Sequence, residues 1–214
     1  PEDEVILPVP SFVCYSPITT LVGGVPVPIE TKAEDGFKLT PALLKSAITP
    51  KTKLLVLPYP NNPTGAILEE EELVALADVL KDTNIAVLSD EIYAELTFGK
   101  RHVSIANIEG MADRVIIASG FSKAYAMTGW RLGYLVGPAT WITQMTKLHQ
   151  YAIMCAPTAS QFAAVEALKN GDDDIAEMLA EYNRRRVFIC EGLRSIGLKT
   201  MMPEGAFYIY PYIG

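Results

Sequence analysis

A lysine and an arginine eight residues apart provide the strongest chemical signal in this sequence. Lys123 follows an apolar run at residues 115–118, and Arg131 lies in a turn rich in glycine and threonine. A lysine amine can condense with an aldehyde, and an arginine fork can bind a phosphate through two parallel hydrogen bonds. Most lysines and arginines lie on the solvated surface, so this pair by itself leaves that alternative open.

Two other apolar runs also lead into polar residues. The run at 54–57 leads to Asn62, and the run at 86–88 leads to Asp90 and Tyr93. Ligands of open α/β sheets bind in the crevice beyond the carboxyl ends of the strands. We therefore expect these side chains to meet the lysine at one edge of a sheet.

Each of these groups also has a local structural interpretation. The segment 61–65, rich in Asn, Pro and Gly, is typical of a turn, and Asp90-Glu91 is typical of a helix cap. For the set to be accidental, such coincidences would have to occur at three successive strand ends. The combination favours a cofactor that carries both an aldehyde and a phosphate, and pyridoxal 5'-phosphate (PLP) is such a cofactor.

PLP chemistry offers a role for each group. The lysine amine forms a Schiff base with the aldehyde and moves the α-proton of the substrate. A carboxylate such as Asp90 keeps the pyridine nitrogen protonated, so that the ring can accept electrons. Asn62 and Tyr93 can donate hydrogen bonds to the phenolate oxygen, and Arg131 can bind the phosphate.

Alternating apolar runs and helical patterns predict a mainly parallel α/β sheet with helices on both faces. Strands are predicted at residues 5–7, 26–29, 54–57, 86–88, 115–118 and 132–136, and helices at 69–80, 141–151, 158–169 and 173–194. Thr40-Pro41 predicts one more helix start, because threonine caps helices and proline suits the first helical position.

A polar break at residues 171–174 is the expected hinge between two domains. We predict that residues 1–170 form most of a large cofactor-binding domain whose N-terminal part is missing. Residues 171–214 then form an interdomain helix and the first hairpin, at 198–201 and 206–210, of a small truncated domain. Both ends of the chain run directly into β-like segments, so we expect a fragment of a longer protein.

The composition excludes several classes of function. The 214 residues carry a net charge of −7, and half of them are apolar. Nucleic acids and membrane surfaces attract clustered Lys and Arg, so neither is an expected partner. Cys14, Cys155 and Cys190 are odd in number and widely spaced, and the two histidines lie far apart. We expect no disulfide framework, no metal site and a cytoplasmic location.

Three motifs resemble the signatures of class I/II aminotransferases, which are PLP enzymes of fold type I. They are Asn62-Pro63-Thr64-Gly65, Ser89-Asp90-Glu91-Ile92-Tyr93 and the segment from Ser122 to Arg131. The resemblance extends over essentially the whole chain and includes Gly205-Ala206-Phe207-Tyr208. It implies a fold type I large domain followed by the start of a small α+β domain. It also implies a homodimer that transfers an amino group from an L-amino acid to a 2-oxo acid.

The resemblance carries the PLP roles to Lys123, Asp90, Asn62, Tyr93 and Arg131. It adds Phe12, with Tyr15 nearby, where the family places an aromatic ring on the cofactor. Many members have a serine phosphate ligand three residues before the lysine. This chain has Gly120 there, so Ser122 or Ser119 is expected to replace it.

Three functions stay open at this stage. The first is an aminotransferase of aspartate, aromatic or broad specificity. The second is a C–S lyase or cyclase, because one fold hosts several reactions. The third is a catalytically silent fragment, because the family's glycine-rich phosphate loop and the arginine that grips the substrate carboxylate are not among these residues.

Overall fold

The computed structural model describes residues 2–214 and contains one six-stranded sheet in the order β2-β1-β3-β4-β5-β6. Its strands are β1 (Glu4–Val9), β2 (Val25–Glu30), β3 (Thr52–Leu57), β4 (Ala86–Asp90), β5 (Val115–Gly120) and β6 (Gly133–Val136). The first five strands run parallel, and β6 pairs antiparallel with β5. The mainly parallel sheet predicted from the sequence is confirmed.

Helices connect the strands and continue beyond the sheet. They are α1 (Tyr15–Leu21), α2 (Pro41–Ala47), α3 (Glu70–Leu80), α4 (Ala139–Ala152), α5 (Thr158–Asn170) and α6 (Asp172–Ser195). Helix α2 starts as predicted, since the Thr40 side chain accepts a hydrogen bond from Leu43 N at 3.3 Å. Among the described residues, no helix has both the length and the apolar character needed to cross a membrane.

The main core packs α2 and α3 against the sheet. Leu44 of α2, Leu76 and Leu80 of α3, Leu55 of β3 and Val87 of β4 are all fully buried there. Burial of one such side chain contributes about 1.5–3 kcal/mol. This core fixes the carboxyl ends of β3 and β4, from which two of the predicted site segments emerge.

The pairing of β5 with β6 leaves no room for a side chain at Gly120. Gly120 lies opposite Gly133, and a Cβ on Gly120 would lie 2.8 Å from the Gly133 Cα and 3.0 Å from the Leu132 oxygen. These are backbone atoms, so a change of side-chain rotamer cannot relieve the contact. The close approach of the two strands thus explains why this chain lacks the serine expected three residues before the lysine.

The substitution Gly120→Ala is expected to destabilise the fold by about 1–3 kcal/mol, because the new methyl group forces β5 and β6 apart. Thermal or denaturant unfolding measures the effect. Gly192→Ala in α6 is the matched control, since a Cβ there meets nothing within 4 Å. It is expected to stabilise the helix by about 0.5–1 kcal/mol. Equal stability of the two variants would contradict the close approach.

The end of the chain differs from the predicted hairpin. In place of strands at 198–201 and 206–210, the described residues contain two isolated antiparallel bridges, Thr200 with Pro211 and Thr97 with Gly205. The reason lies in the backbone hydrogen bonds. Glu204 N and Gly205 N both donate to Gly65 O at 2.9 Å, so this segment docks on the loop after β3. Its pairing with residues 199–200 is limited to the Thr200–Pro211 bridge and the bond from Tyr212 N to Lys199 O at 2.9 Å.

Candidate active site

A cavity of about 430 Å³ lies beyond the carboxyl ends of the parallel strands. The structure brings all seven predicted site residues to its wall, namely Phe12, Asn62, Asp90, Tyr93, Ser122, Lys123 and Arg131. Tyr15, Ser119, Thr128 and Tyr208 also line it. The structure therefore brings these side chains together at one edge of the sheet, as expected.

Asp90 is the last residue of β4 and is held from two sides. Its Oδ2 accepts a hydrogen bond from the Tyr15 hydroxyl at 2.7 Å, and its Oδ1 accepts one from Ile92 N at 3.2 Å. Burial and the negative charge of Asp90 raise the pKa of Tyr15, so Tyr15 stays a hydrogen-bond donor. Each carboxylate oxygen has a second lone pair, so Asp90 can still accept a bond from a protonated ring nitrogen.

Asn62 and Tyr93 converge on the hydroxyl of Tyr208. The Asn62 Nδ2 donates to that hydroxyl at 3.1 Å, and the Tyr93 and Tyr208 hydroxyl oxygens are 2.6 Å apart. Burial and the hydrogen bond with Tyr208 raise the pKa of Tyr93, which keeps it a neutral phenol. This corner of the cavity is rich in donors suited to an anionic oxygen.

The loop that carries Asn62 is fixed by its neighbour Asn61. Asn61 is buried, and its Oδ1 accepts hydrogen bonds from Thr64 N at 3.2 Å and Thr64 Oγ1 at 2.9 Å. The Tyr59–Pro60 and Asn62–Pro63 peptide bonds are cis. The turn expected from the sequence is thus present, and it presents Asn62 to the cavity.

Lys123 projects from the turn that follows β5, and its amine lies against two aromatic rings that pack on each other. Its Nζ is 5.6 Å from the ring centre of Tyr93 and 5.6 Å from that of Phe207. Within residues 2–214, no carboxylate forms an ion pair with this amine. Since no salt bridge holds the amine, it is available for a reaction in the cavity.

Arg131 ends a single turn of 3₁₀-helix at Thr128–Trp130 and has a left-handed backbone, with φ of 54°. Its guanidinium donates to Thr128 O at 2.9 Å, and Thr128 Oγ1 donates to Ser122 O at 2.8 Å. The Ser119 hydroxyl donates to Glu91 O at 3.3 Å. The hydroxyl of Ser122 makes no such bond within the described part of the chain, which leaves it the better candidate for an added anion.

The donor set fits PLP. The amine suits the aldehyde, and the carboxylate suits the ring nitrogen. The amide and the phenol beside it suit the phenolate oxygen, and the guanidinium with its neighbouring hydroxyls suits the phosphate. The cavity also lies within the range of about 300–1,000 Å³ that is usual for small-molecule sites.

A buried polar cluster forms around Glu91, the residue that follows Asp90. Glu91 Oε2 is 3.0 Å from His102 Nε2, and Glu91 Oε1 accepts hydrogen bonds from Ser89 at 2.8 Å and Ser104 at 2.6 Å. Burial alone would raise the pKa of Glu91, but the bonds from His102, Ser104 and Ser89 outweigh it and lower the pKa. Glu91 N donates to Ala118 O at 2.8 Å. The cluster thus clamps the end of β4 to residues 102–104, while the Glu91 backbone holds β4 beside β5.

Reasoning from the sequence missed Tyr208, Glu91 and His102 as parts of the site or of its support. Tyr208 belongs to a segment noted only for its resemblance, and Glu91 was interpreted with Asp90 as a possible helix cap. His102 and Ser104 carry no local pattern, because they act on Glu91 from a separate loop. For Tyr208, the aromatic run at 206–210 was the one available signal.

The doubly covered parallel sheet, with its reactive groups at the strand ends, is the large-domain architecture of the PLP enzymes of fold type I. The family model described as "Aminotransferase class I and II" matches residues 1–213. The chain belongs to the class I and II aminotransferase family, whose members use PLP.

Individual relatives agree with this assignment. YugH of Bacillus subtilis is 49% identical over 213 residues, covering 100% of this chain and 55% of that protein. Aromatic-amino-acid aminotransferase 2 of Thermococcus litoralis is 42% identical over 214 residues, covering 99% and 55%. The crystal structure of the aromatic aminotransferase from Pyrococcus horikoshii superposes with a TM-score of 0.96 at 43% identity, covering 99% and 58%. The chain spans about half the length of the relatives it matches.

Proposed function

We propose that the full-length protein is a PLP-dependent aminotransferase that moves an amino group from an L-amino acid to a 2-oxo acid. One observation carries this proposal: the unpaired amine of Lys123 shares a cavity with Asp90, Asn62, Tyr93 and Arg131. Membership of the aminotransferase family favours amino transfer over C–S cleavage or cyclisation on the same fold.

In this proposal PLP, when bound, supplies an electron sink. Lys123 Nζ binds the cofactor and then carries the substrate α-proton. Asp90, oriented by Tyr15, holds the proton on the ring nitrogen. Asn62 and Tyr93 donate to the phenolate oxygen.

The remaining contacts concern the phosphate and the ring face. Arg131 and Ser122 bind the phosphate, because a guanidinium fork and a hydroxyl are matched donors for it. Phe12, half exposed at the mouth of the cavity, covers the face of the ring.

The substrate range is proposed from the relatives. Several proteins whose sequences are about 40% identical to this chain are named as aspartate or aromatic aminotransferases. We propose that the donor is aspartate, an aromatic amino acid, or either of them.

Further proposals concern the assembly and its surroundings. Leu148, Tyr151 and Met154 are 75%, 87% and 81% exposed. Neighbouring apolar surface of this kind marks interfaces, which supports a homodimer.

The free cysteines support a cytoplasmic location. The domain division at 170/171 fits the link between α5 and α6, where Gly171 alone separates the two helices.

An assay of the complete reading frame with PLP tests this function. We expect transfer of the amino group from aspartate or an aromatic amino acid to an added 2-oxo acid, with release of the donor's own 2-oxo acid. Residues 1–214 alone are expected to transfer it poorly. Release of pyruvate and ammonia without an acceptor would instead indicate a lyase.

A further inference from the structure

The Tyr208 hydroxyl contacts both groups to which the proposed function gives the phenolate oxygen of PLP. It lies 3.1 Å from Asn62 Nδ2 and 2.6 Å from the Tyr93 hydroxyl. Tyr208 comes from the far end of the chain, 146 residues from Asn62. A side chain from a distant segment therefore joins the two donors to each other.

The segment that carries Tyr208 is fixed from several sides. Ala206 is fully buried and its N–H donates to Leu96 O at 2.8 Å. A Cβ on Gly205 would lie 2.6 Å from Pro60 Cβ, so the segment lies tightly against the loop of Asn62. The Tyr208 ring also packs edge-on against Tyr93 at 5.7 Å. The Tyr208 side chain is therefore held in place by contacts on several sides.

The three hydroxyl and amide groups can form an ordered chain of hydrogen bonds. Asn62 Nδ2 donates to Tyr208, and Tyr208 has one proton of its own to give. If Tyr208 gives that proton to the Tyr93 oxygen, then the Tyr93 proton is free for another acceptor. The second N–H of Asn62 is free as well. Both remaining donors can serve one anionic oxygen in the cavity.

We propose that Tyr208 is a positioning residue that orients the Asn62 amide and the Tyr93 hydroxyl toward the phenolate oxygen of PLP. This inference rests on the proposed function. The Tyr208 hydroxyl acts through Asn62 and Tyr93 in this arrangement. It sets the direction of the two donors and makes the C-terminal segment part of the cofactor site.

The variant Tyr208→Phe in the complete protein tests the inference, because it keeps the ring and removes only the hydroxyl. We expect the Kd for PLP to rise about threefold to tenfold, the value of one hydrogen bond. We also expect the pH midpoint of the long-wavelength absorbance of bound PLP to move upward, since weaker donors leave the phenolate oxygen more basic. Tyr210→Phe is the matched control, because Tyr210 packs on Phe37 at 5.5 Å, away from the cavity.

The direction of the spectral change separates positioning from other roles. A midpoint that stays unchanged, or moves downward because Tyr208 had competed for the donors, overturns the inference. In the double variant Tyr93→Phe/Tyr208→Phe the shift should be smaller than the sum of the two single shifts, because part of the effect of Tyr208 passes through Tyr93; additive shifts would also overturn the inference. If the wild-type protein binds no PLP, then the proposed function fails as well. Normal PLP binding with a wild-type titration of Tyr208→Phe refutes this inference alone.

Discussion

Replacing Lys123 with alanine is expected to abolish amino transfer and to remove the long-wavelength absorbance band of bound PLP. The Lys123 amine faces the cavity beside the Tyr93 and Phe207 rings, and no carboxylate among residues 2–214 forms an ion pair with it. Loss of a positioned acid–base group alone costs a factor of about 10²–10⁴ in rate. Loss of the attachment point adds to that cost.

The measurement is a steady-state rate and an absorbance spectrum of the complete protein. Lys53→Ala is the matched control, because Lys53 lies exposed on β3 and outside the cavity wall. It should keep both the rate and the spectrum. If the absorbance band persists in Lys123→Ala, then a different amine binds the cofactor.

Replacing Glu91 with alanine is expected to lower the free energy of unfolding by about 1–3 kcal/mol, because it leaves two serine hydroxyls and His102 without their buried partner. Glu91 is only 6% exposed and receives three side chains from two segments. Glu95→Ala is the control four residues away, where the side chain is exposed, and should change stability by less than about 0.5 kcal/mol. Equal losses in the two variants would contradict the clamp.

The Glu91 carboxylate is also expected to make the free energy of unfolding depend on pH. The pKa of Glu91 is lower in the folded protein than its ordinary value of 4.5. The stabilisation that the ionised Glu91 gives to the fold is therefore present at pH values above 4.5. It is lost as the pH falls through the lower pKa of the folded protein. Glu91→Gln should flatten the acid side of the stability curve. A curve as steep as that of the wild type would count against this assignment.

Much of the sheet could be predicted because its strands are apolar on both faces. Residues 54–57 of β3 and 115–118 of β5 are continuous apolar runs, which is typical of strands that helices cover. Once these were placed in parallel, their polar continuations had to meet at one edge. That is why Asn62, Asp90 and Lys123 were brought together correctly from local patterns.

Other features depend on contacts between distant segments. Helix α1 is short, and Cys14, the residue before its first turn, provides no side-chain cap, so the sequence gives no start signal. The apolar run at 206–210 has the pattern of a strand, but Ala206 N bonds to Leu96 O after β4, and the two residues before it bond to Gly65 O in the loop after β3. The Glu91–His102 pair and Tyr208 likewise depend on where loops meet in space.

The 146-residue separation of Asn62 and Tyr208 also affects how the protein is made. At about 5–20 residues per second on the ribosome, roughly 7–30 s pass between the synthesis of the two residues. The strands that carry Asp90 and Lys123 are complete before then, whereas the Asn62–Tyr93–Tyr208 junction is not. Synthesis of all six sheet strands is therefore finished well before the residue that completes the Asn62–Tyr93–Tyr208 junction is added.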